Sequence, residues 1–356
     1  MRISGITSWW EAVPLLQPYE ISSMRIDAVD LFFVRISTDE GVEGVGSASP
    51  SEDVTGESPG NCRTALSPKQ LGWLGGRDPR DLDELARELE HSHRATPAAR
   101  AAVDMALHDL VARCEGVPLV DLLGRCHEVL PTSVTIGISS VEETLAEAEG
   151  FLGRGFRCLK VKTGRSYEED AERLTRLRES VGSEVAIRID GNQGNTVEEA
   201  RRLGDLAEGL NLELIEQPLP AESDSEMRTL PSSVRRIIAA DESLHGEENA
   251  RDLAEEPAAC GIFNIKLMKC GGIRPALAIA EVAQSASIDL MWGCNDESVV
   301  SIAAALHAAY ACPNTRYLDL DGSFDLARDP AKGGFVVEEG CLRLLDRPGL
   351  GVDLSG

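Results

Sequence analysis

Five charged side chains recur at nearly equal intervals through the middle of the chain, each at the end of a short apolar run. They are Lys162, Asp190, Glu216, Asp241 and Lys266. The steps are 28 residues (162 to 190), 26 (190 to 216), 25 (216 to 241) and 25 (241 to 266). Each step has the length of one strand, one helix and their turns. Because the strands of a buried parallel sheet are apolar throughout, charges in these places indicate chemistry.

The three carboxylates converge if their strands are neighbours in one sheet. Three carboxylates in a confined space cannot all remain ionised without a compensating cation. Hard oxygen ligands with no adjacent histidine or cysteine favour Mg²⁺, with Mn²⁺ as a substitute. For any one of them, capping of the following helix is the alternative. Their shared register predicts that Asp190, Glu216 and Asp241 bind a metal ion.

Lys162 and Lys266 flank these carboxylates on either side. A partly desolvated lysine beside a cation has a lowered pKa, so its neutral amine can act as a base near neutral pH. Two such lysines could remove a proton from one face of a carbon beside a carboxylate and return it to the other, with metal and ammonium charges stabilising the enediolate. Lys160 shares a strand face with Lys162, and its charge is expected to lower the Lys162 pKa. The alternative for Lys160 is a salt bridge to a neighbouring helix.

A repeated unit of strand, polar turn and amphipathic helix positions these residues. The predicted strands are Ser133–Ile138, Cys158–Lys162, Val185–Asp190, Leu212–Glu216, Ile237–Asp241, Ile262–Lys266, Asp289–Gly293 and Arg316–Leu320. Predicted helices between them include residues 142–153, 167–181, 196–209 and 274–287. Eight strands alternating with helices predict a barrel whose charged strand ends gather at its C-terminal mouth, where barrel enzymes do chemistry. Since the eighth helix is weak, the predicted fold is an α/β, modified (β/α)7β TIM barrel.

The segments on either side of the repeat have a different pattern of predicted strands and helices. Residues 1–125 combine short strands with helices such as 98–114, which predicts an α+β domain. Strands and turns at the end of the chain predict that residues 326–356 return to complete that domain. The barrel is then assigned to residues 126–325.

Composition limits the classes of function. The chain has 35 basic and 60 acidic residues, and the net charge of −25 argues against nucleic-acid binding. An acidic surface attracts metal ions and cationic substrates, although solubility alone accounts for it. No apolar run of about 18 residues predicts a membrane span, and the N-terminus lacks the apolar core of a signal peptide. Nine scattered cysteines without C-x-x-C spacing indicate free thiols in a reducing cytoplasm, not disulfides or zinc.

The strand ends resemble the motifs of the enolase superfamily, in its muconate-lactonising subgroup with a K-x-K motif. The motifs are Leu159-Lys160-Val161-Lys162, Asp190-Gly191-Asn192-Gln193, Glu216-Gln217-Pro218, Ala240-Asp241-Glu242-Ser243 and Asn264-Ile265-Lys266. The resemblance covers nearly the whole chain, with Gly191 where these enzymes more often carry alanine. It implies that the α+β domain caps the barrel, that a lysine base works with Mg²⁺, and that the enzyme is a homo-oligomer.

The last strand narrows the resemblance to one group. Leu318-Asp319-Leu320-Asp321-Gly322 resembles the D-x-D motif of dipeptide epimerases, and Lys266–Gly272 is also similar to theirs. With the C-terminal carboxylate of a dipeptide on Mg²⁺, its α-ammonium would extend across the mouth and pair with Asp319 and Asp321. An Asp-rich turn is the alternative. By the same resemblance Thr135 contacts substrate, and the implied reaction inverts the α-carbon of the C-terminal residue.

The predicted substrate loops differ from those of Ala-Glu epimerases. Where those enzymes carry an arginine that pairs with the substrate glutamate, this chain aligns Met24, with Arg25 adjacent. Asp296, after the seventh strand, stands where they carry an apolar residue. Together with Glu52 and Asp53 in another capping loop, it predicts an acidic pocket. We therefore expect a preference for dipeptides with a cationic residue.

Three alternatives stay open at this point. N-acylamino acid racemases, o-succinylbenzoate synthases and cycloisomerases share the K-x-K subgroup, but their substrates have no ammonium for Asp319 and Asp321. A metal-dependent aldolase or phosphate-binding barrel would use Gly271-Gly272 as a phosphate loop, although such loops are expected after strands seven and eight and this pair follows strand six. A non-catalytic barrel would bind metal and peptide without exchanging the α-proton for solvent deuterium.

Overall fold

An antiparallel sheet followed by helices forms the N-terminal part of the chain. The computed structural model describes residues 1–21, 24–164 and 166–354, with the backbone alone for residues 17–21 and 24–25. The three strands, which pair in chain order, are β1 (Ile3–Ile21), β2 (Met24–Thr38) and β3 (Glu43–Ala48). The helices are α1 (Glu52–Thr55), α2 (Pro59–Ala65), α3 (Pro68–Leu71), a 3₁₀ turn (Gly72–Leu74), α4 (Leu82–Ser92), α5 (Pro97–Glu115) and α6 (Leu119–Leu123). The predicted α+β pattern is present.

Eight parallel strands, paired in chain order, follow a two-residue strand β4 (Leu130–Pro131). They are β5 (Val134–Ile136), β6 (Cys158–Lys162), β7 (Ala186–Asp190), β8 (Leu214–Glu216), β9 (Ile238–Ala240), β10 (Ile262–Ile265), β11 (Asp289–Gly293) and β12 (Thr315–Asp319). A parallel bridge between Thr132 and Leu318 closes the ring, and the Ser133 amide donates to the Leu318 carbonyl at 3.0 Å. Each strand lies at its predicted place.

Helices connect successive barrel strands. They are α7 (Val141–Gly153), α8 (Tyr167–Val181), α9 (Val197–Leu210), α10 (Asp224–Met227), α11 (Ser232–Ile237), α12 (Glu247–Ala254), α13 (Leu267–Cys270), α14 (Ile273–Ser285) and α15 (Val299–Ala311). Capping boxes begin α7 at Ser140 and α9 at Thr196, where the side chain satisfies free amides of the first turn. In the described ranges no helix follows β12, so the predicted modified (β/α)7β barrel is confirmed. None of the described helices is long and apolar enough to cross a membrane.

Helix α5 packs between the N-terminal sheet and the barrel. It approaches β3 so closely that a Cβ on Gly46 would lie 1.9 Å from the Ala102 carbonyl oxygen. On its other side Asp104 Oδ2 accepts a hydrogen bond from the Ile273 amide at 2.6 Å, at the start of α14. A Cβ on Gly272 would lie 2.5 Å from the same oxygen. A carboxylate of α5 therefore occupies the position beside Gly272 at the start of α14. Because a carboxylate repels a phosphate group, this glycine pair is not a phosphate-binding loop.

The residues after β12 contact both parts of the molecule. They form β13 (Ala331–Gly333), β14 (Phe335–Glu338), β15 (Cys341–Leu344) and β16 (Val352–Leu354). β13 pairs with β16, and β14 and β15 form a sheet with β4. The Leu350 amide donates to the buried Asp109 of α5 at 2.7 Å. The C-terminal residues thus contact both the N-terminal part and the segment that leads into the barrel, so their contacts alone do not assign them to one domain. The domain limits at residues 125 and 326 therefore stay predictions.

Candidate active site

The five charged strand ends lie together at the C-terminal mouth of the barrel. In the strand ladder Lys162 pairs with Asp190, and Asp190 with Glu216. Asp241 directly follows β9, and Lys266 directly follows β10. Since the strands are parallel, their C-terminal ends share one opening. The structure therefore brings together all five residues that the spacing predicted.

Each predicted catalytic lysine forms an ion pair with a predicted metal ligand. Lys162 Nζ lies 2.9 Å from Asp190 Oδ2, and Lys266 Nζ lies 2.8 Å from Asp241 Oδ2. Lys162 also donates to Asn192 Oδ1 at 2.8 Å. The Lys162 side chain is 32% exposed and that of Lys266 only 10%. Because their strands lie on opposite sides of the carboxylate strands, the two ammonium groups reach the cluster from its two flanks.

Lys160 lies deeper in the barrel, at the centre of the carboxylates. Its Nζ is 2.7 Å from Asp319 Oδ2, 2.8 Å from Glu216 Oε2 and 3.2 Å from Asp190 Oδ2. Burial lowers the pKa of Lys160, but these three negative charges outweigh it and hold the pKa well above its usual value. The alternative of a salt bridge to a helix is wrong, since every ion-pair partner is at a strand end. Lys160 is a permanent positive charge that balances the cluster.

The carboxylates are under strong mutual repulsion. Burial and the negative charge of Asp190 raise the pKa of Glu216 to about 8. Burial also raises the pKa of Asp190, but attraction to Lys162 and Lys160 outweighs it and lowers that pKa to about 2. One carboxyl of the cluster therefore holds its proton near neutral pH unless further positive charge is supplied.

The donor set fits a hard divalent cation. Asp190, Glu216 and Asp241 offer only oxygen, and the buried Glu216 Oε2 has no hydrogen-bond donor among the described residues despite its ion pair with Lys160. As they stand, no three Asp, Glu, His or Cys side chains of the described residues form a ready-made metal site. Oxygens of Asp190 and Asp241 are instead ion-paired with Lys162 and Lys266.

The expected lowering of the lysine pKa is not found at Lys266. Burial lowers the pKa of Lys266, but the charges of Asp241 and Glu216 outweigh it, so the pKa lies above its usual value. The expected lowering applies to a lysine beside a bound cation and stays a prediction, because here the Asp241 carboxylate pairs with the ammonium itself. A second lysine, Lys269, donates to both the carbonyl and Oδ1 of Asp241. The sequence analysis did not single out Lys269.

Asp319 and Asp321, at the end of β12, have different partners. Asp319 is buried, and its two oxygens accept from Ser133 Oγ at 2.5 Å and from Lys160 Nζ at 2.7 Å. Asp321 is half-buried, and its Oδ2 accepts from the Thr135 amide at 2.9 Å. Burial and the charge of Asp319 raise the pKa of Asp321 to about 7. Asp321 is therefore the member of the pair that solvent reaches, and its neighbour Thr135 lies where the resemblance implied.

Asp296 belongs to a group of interacting acidic residues at the mouth. Its carbonyl accepts from Ser49 Oγ of the capping region at 2.8 Å. Although solvent reaches Asp325, the surrounding protein and the charge of Asp296 raise the pKa of Asp325 to about 6. Asp325 in turn contributes to the raised pKa of Asp321. We call Asp296, Asp321 and Asp325 the acidic rim. The sequence did not point to Asp325, because this residue lies in an irregular segment after the last barrel strand.

The remaining predicted specificity residues belong to the capping region. Asp53 is exposed on α1, which contacts α13 directly after Lys266. The backbone of Met24 and Arg25 lies in β2, but their side chains lie outside the described residues. A role for either in substrate binding therefore stays a prediction.

Two buried polar residues inside the barrel were also missed. Asn264 precedes Lys266 by two positions, and Arg188 precedes Asp190 by two. Arg188 is fully buried and donates to the Leu318 carbonyl at 2.6 Å, across the seam where the barrel closes. Strand side chains alternate, so each shares the interior face of the charged residue after it. The same alternation was applied only to β6 in the sequence analysis.

The fold and the site agree with the matches to known families. Residues 5–124 match the family described as mandelate racemase / muconate lactonizing enzyme, N-terminal domain. Residues 143–356 match the enolase C-terminal domain-like family. The chain therefore belongs to the mandelate racemase and muconate lactonizing enzyme group of the enolase superfamily, and the predicted resemblance is confirmed.

Within that superfamily the chain belongs with the dipeptide epimerases. It is 57% identical over 352 residues, 99% of both chains, to the L-Lys-D/L-Arg epimerase of Methylococcus capsulatus. A crystal structure of a Methylococcus capsulatus dipeptide epimerase with Mg and L-Arg-D-Lys matches with a TM-score of 0.97 over 99% of both chains. More distant relatives are the L-Ala-D/L-Glu epimerase of Clostridium acetobutylicum, 35% identical over 99% of both chains, and the N-succinyl-L-Arg/Lys racemase of Bacillus cereus, 31% identical over 100% of this chain and 96% of the relative. All three are isomerases of amino acid derivatives.

Proposed function

We propose that this protein is a magnesium-dependent dipeptide epimerase that inverts the α-carbon of the C-terminal residue and favours dipeptides with cationic side chains. One observation carries the proposal: Lys162 and Lys266 flank a buried group of three carboxylates, with the acidic rim at the same mouth. The relatives named for Lys and Arg dipeptides support the cationic preference.

Lys162 and Lys266 carry out the proton transfers in this proposal. A substrate α-carbon between the two amines loses its proton to one and receives a proton from the other on the opposite face, which inverts its configuration. Before it can accept a proton, an ammonium group must first lose one. Added positive charge near Asp190 and Asp241 would promote that loss, because it competes for the carboxylates that now stabilise the ammonium groups.

Asp190, Glu216 and Asp241 would hold Mg²⁺, with Mn²⁺ as a substitute. When bound, the ion supplies positive charge beside the substrate carboxylate and stabilises the negative charge that develops there on deprotonation. Lys160 adds a fixed positive charge in the same region, since Asp190, Glu216 and Asp319 hold it in place.

Asp321 and Asp319 would bind the α-ammonium group of the dipeptide. Asp321 is the more accessible of the two and is oriented by the Thr135 amide. Asp319 adds negative charge from a position fixed by Ser133 and Lys160. The second candidate function is racemisation of N-succinylated Arg or Lys, as in the Bacillus cereus relative. An N-acylated amino acid has no ammonium group to pair with Asp319 and Asp321. If this were the function, turnover would not require Asp321.

Asp296→Ala tests the cationic preference. We expect the ratio of kcat/KM for Lys- or Arg-containing dipeptides to that for neutral dipeptides to fall about tenfold, since a charge-assisted hydrogen bond contributes about 1.5 kcal/mol. Turnover of a panel of cationic and neutral dipeptides measures this ratio. Asp289→Ala is the matched control. Asp289 is the first residue of β11, the strand that precedes the Asp296 loop, and it pairs with the exposed Arg316 at the end of the strand away from that loop. An unchanged ratio in Asp296→Ala would refute this role.

We also propose a cytoplasmic location and a homo-oligomeric assembly. All nine cysteines are free and five of them are buried, which suits a reducing compartment. Light scattering coupled to size-exclusion chromatography measures the assembly. A mass of 38.3 kDa, that of one chain, would contradict it.

A further inference from the structure

A buried asparagine contacts one of the three carboxylates that we assign to the metal. Asn264 lies on β10, two residues before Lys266, and has no exposed surface. Its Nδ2 donates to Oε1 of Glu216, which is also fully buried, at 2.9 Å. Because side chains alternate along a strand, Asn264 and Lys266 both face the barrel interior. The contact joins the sixth barrel strand to a carboxylate on the fourth.

Two oxygen atoms around this contact have no hydrogen-bond donor among the described residues. Glu216 Oε2 accepts none, although Lys160 Nζ lies 2.8 Å away as its ion-pair partner. Asn264 Oδ1 is likewise buried without a donor. This orientation of the amide is the one that suits an ionised Glu216 with a cation bound, since a reversed amide would set a carbonyl oxygen against the carboxylate. Asn264 thus holds Glu216 through Oε1, while Oε2 faces the positive charge of Lys160 and has no hydrogen bond that fixes its direction.

The neighbouring strand β11 leaves room for this arrangement by having a glycine at position 293. A Cβ there would lie 2.6 Å from Asn264 Oδ1, 3.0 Å from its Nδ2 and 3.1 Å from Cε of Lys266. The backbone of Gly293 lies outside the left-handed region, so its conformation does not require glycine. The absence of a side chain at Gly293 therefore serves the packing of Asn264 and Lys266.

We propose that Asn264 is a positioning residue for the metal site: it fixes Glu216 through Oε1 so that Oε2 faces the bound ion, and Gly293 supplies the space. The inference rests on the proposed role of Glu216 as a metal ligand. Hydrogen bonds that orient ligands from outside the coordination shell typically change metal affinity 10- to 100-fold when they are removed. Without the amide, the Glu216 carboxylate can rotate, and part of the binding free energy is lost in fixing it again.

Asn264→Leu removes the amide with little change in size. We expect the Kd for Mg²⁺, measured by titration calorimetry without substrate, to rise about 10- to 100-fold. Asn314→Leu is the matched control: Asn314 Nδ2 donates to the Ile288 carbonyl at 3.0 Å near the opposite end of the barrel, and its loss is expected to leave the Kd unchanged. A wild-type Kd in Asn264→Leu overturns the proposal.

A double-mutant cycle separates positioning from a general loss of structure. In a Glu216→Ala background, adding Asn264→Leu is expected to change the Mg²⁺ affinity no further, because the amide acts only through the Glu216 carboxylate. Equal losses in both backgrounds overturn the positioning role. Should Glu216→Ala bind Mg²⁺ like the wild type, the assignment of Glu216 as a ligand fails. A weakened Glu216→Ala combined with an unaffected Asn264→Leu overturns only the inference about Asn264.

Gly293→Ala tests the same contact without removing the amide, and it replaces Asn264→Leu if that variant does not fold. Its added Cβ displaces Asn264, so the Kd for Mg²⁺ is expected to rise in the same direction. A protein that stays folded by circular dichroism and retains the wild-type Kd contradicts the proposed use of this space.

Discussion

Lys162→Ala is expected to abolish epimerisation while one of the two C-terminal isomers of the dipeptide still exchanges its α-proton with solvent. Lys162 reaches the carboxylate cluster from β6 and Lys266 from β10, so in the proposed reaction each would face one side of the substrate carbon. Inversion needs both, and the loss of one general acid or base costs about 10²- to 10⁴-fold in rate. Exchange on the remaining side needs only Lys266. Proton NMR in D₂O follows each isomer separately.

Lys266→Ala is expected to give the complementary pattern, in which the other isomer exchanges. Two variants that exchange the same isomer, or a single variant that epimerises near the wild-type rate, would contradict the two-base assignment. Lys332→Ala is the control, because Lys332 is exposed on β13, where it lies opposite Asp353 of β16. It is expected to retain both epimerisation and the exchange of both isomers.

Removal of divalent ions with EDTA is expected to stop turnover without unfolding the protein. The stabilisation of developing charge by a bound metal is worth several kcal/mol, which corresponds to a loss of about 10³-fold or more. The fold is expected to persist because Lys162 and Lys266 pair with Asp190 and Asp241, and Lys160 with Glu216. Turnover and far-UV circular dichroism of the same samples measure both effects.

Restoring Mg²⁺ to the chelated protein is expected to recover activity. Turnover that survives chelation would contradict the metal assignment. If the circular dichroism signal of the helices were lost together with activity, the lysines would not neutralise the carboxylate cluster well enough to keep the metal-free protein folded.

The residues at the strand ends were predictable because sequence spacing and chemistry point to the same place. One barrel unit separates each of Lys162, Asp190, Glu216, Asp241 and Lys266 from the next, and a charge in the same register at the end of five apolar strands indicates one shared site. The barrel itself followed from the same repeat. Both predictions depend only on local periodicity and on the rule that parallel strands end at one mouth.

The partners of these residues were not predictable, since closure of the barrel brings distant segments together. Lys160 and Asp319 are 159 residues apart in sequence, and their contact exists because β12 closes the ring beside β5. Nothing in the local sequence shows that Asp319 pairs inward while Asp321 is the more accessible of the two. Asn264 and Arg188 could have been found by applying side-chain alternation to every strand rather than to one.

The residues of the acidic rim lie in loops after strands, and sequence spacing does not predict where loop residues lie in space. Asp296 was singled out by resemblance alone, and Asp325 was overlooked although it interacts with both Asp296 and Asp321. Loop positions follow from the contacts that each loop makes, such as the hydrogen bond from Ser49 to the Asp296 carbonyl. Such contacts between the capping region and the barrel are not encoded in either segment by itself.

The most direct test of the central claim is incubation of L-Arg-L-Lys with the wild-type protein and Mg²⁺ in D₂O, followed by NMR and mass spectrometry. We expect L-Arg-D-Lys to appear, with one deuterium at the α-carbon of the C-terminal residue and none elsewhere on carbon. Deuterium at the N-terminal α-carbon, or no deuterium in either isomer while the dipeptide binds, would contradict a two-lysine epimerase at this barrel mouth.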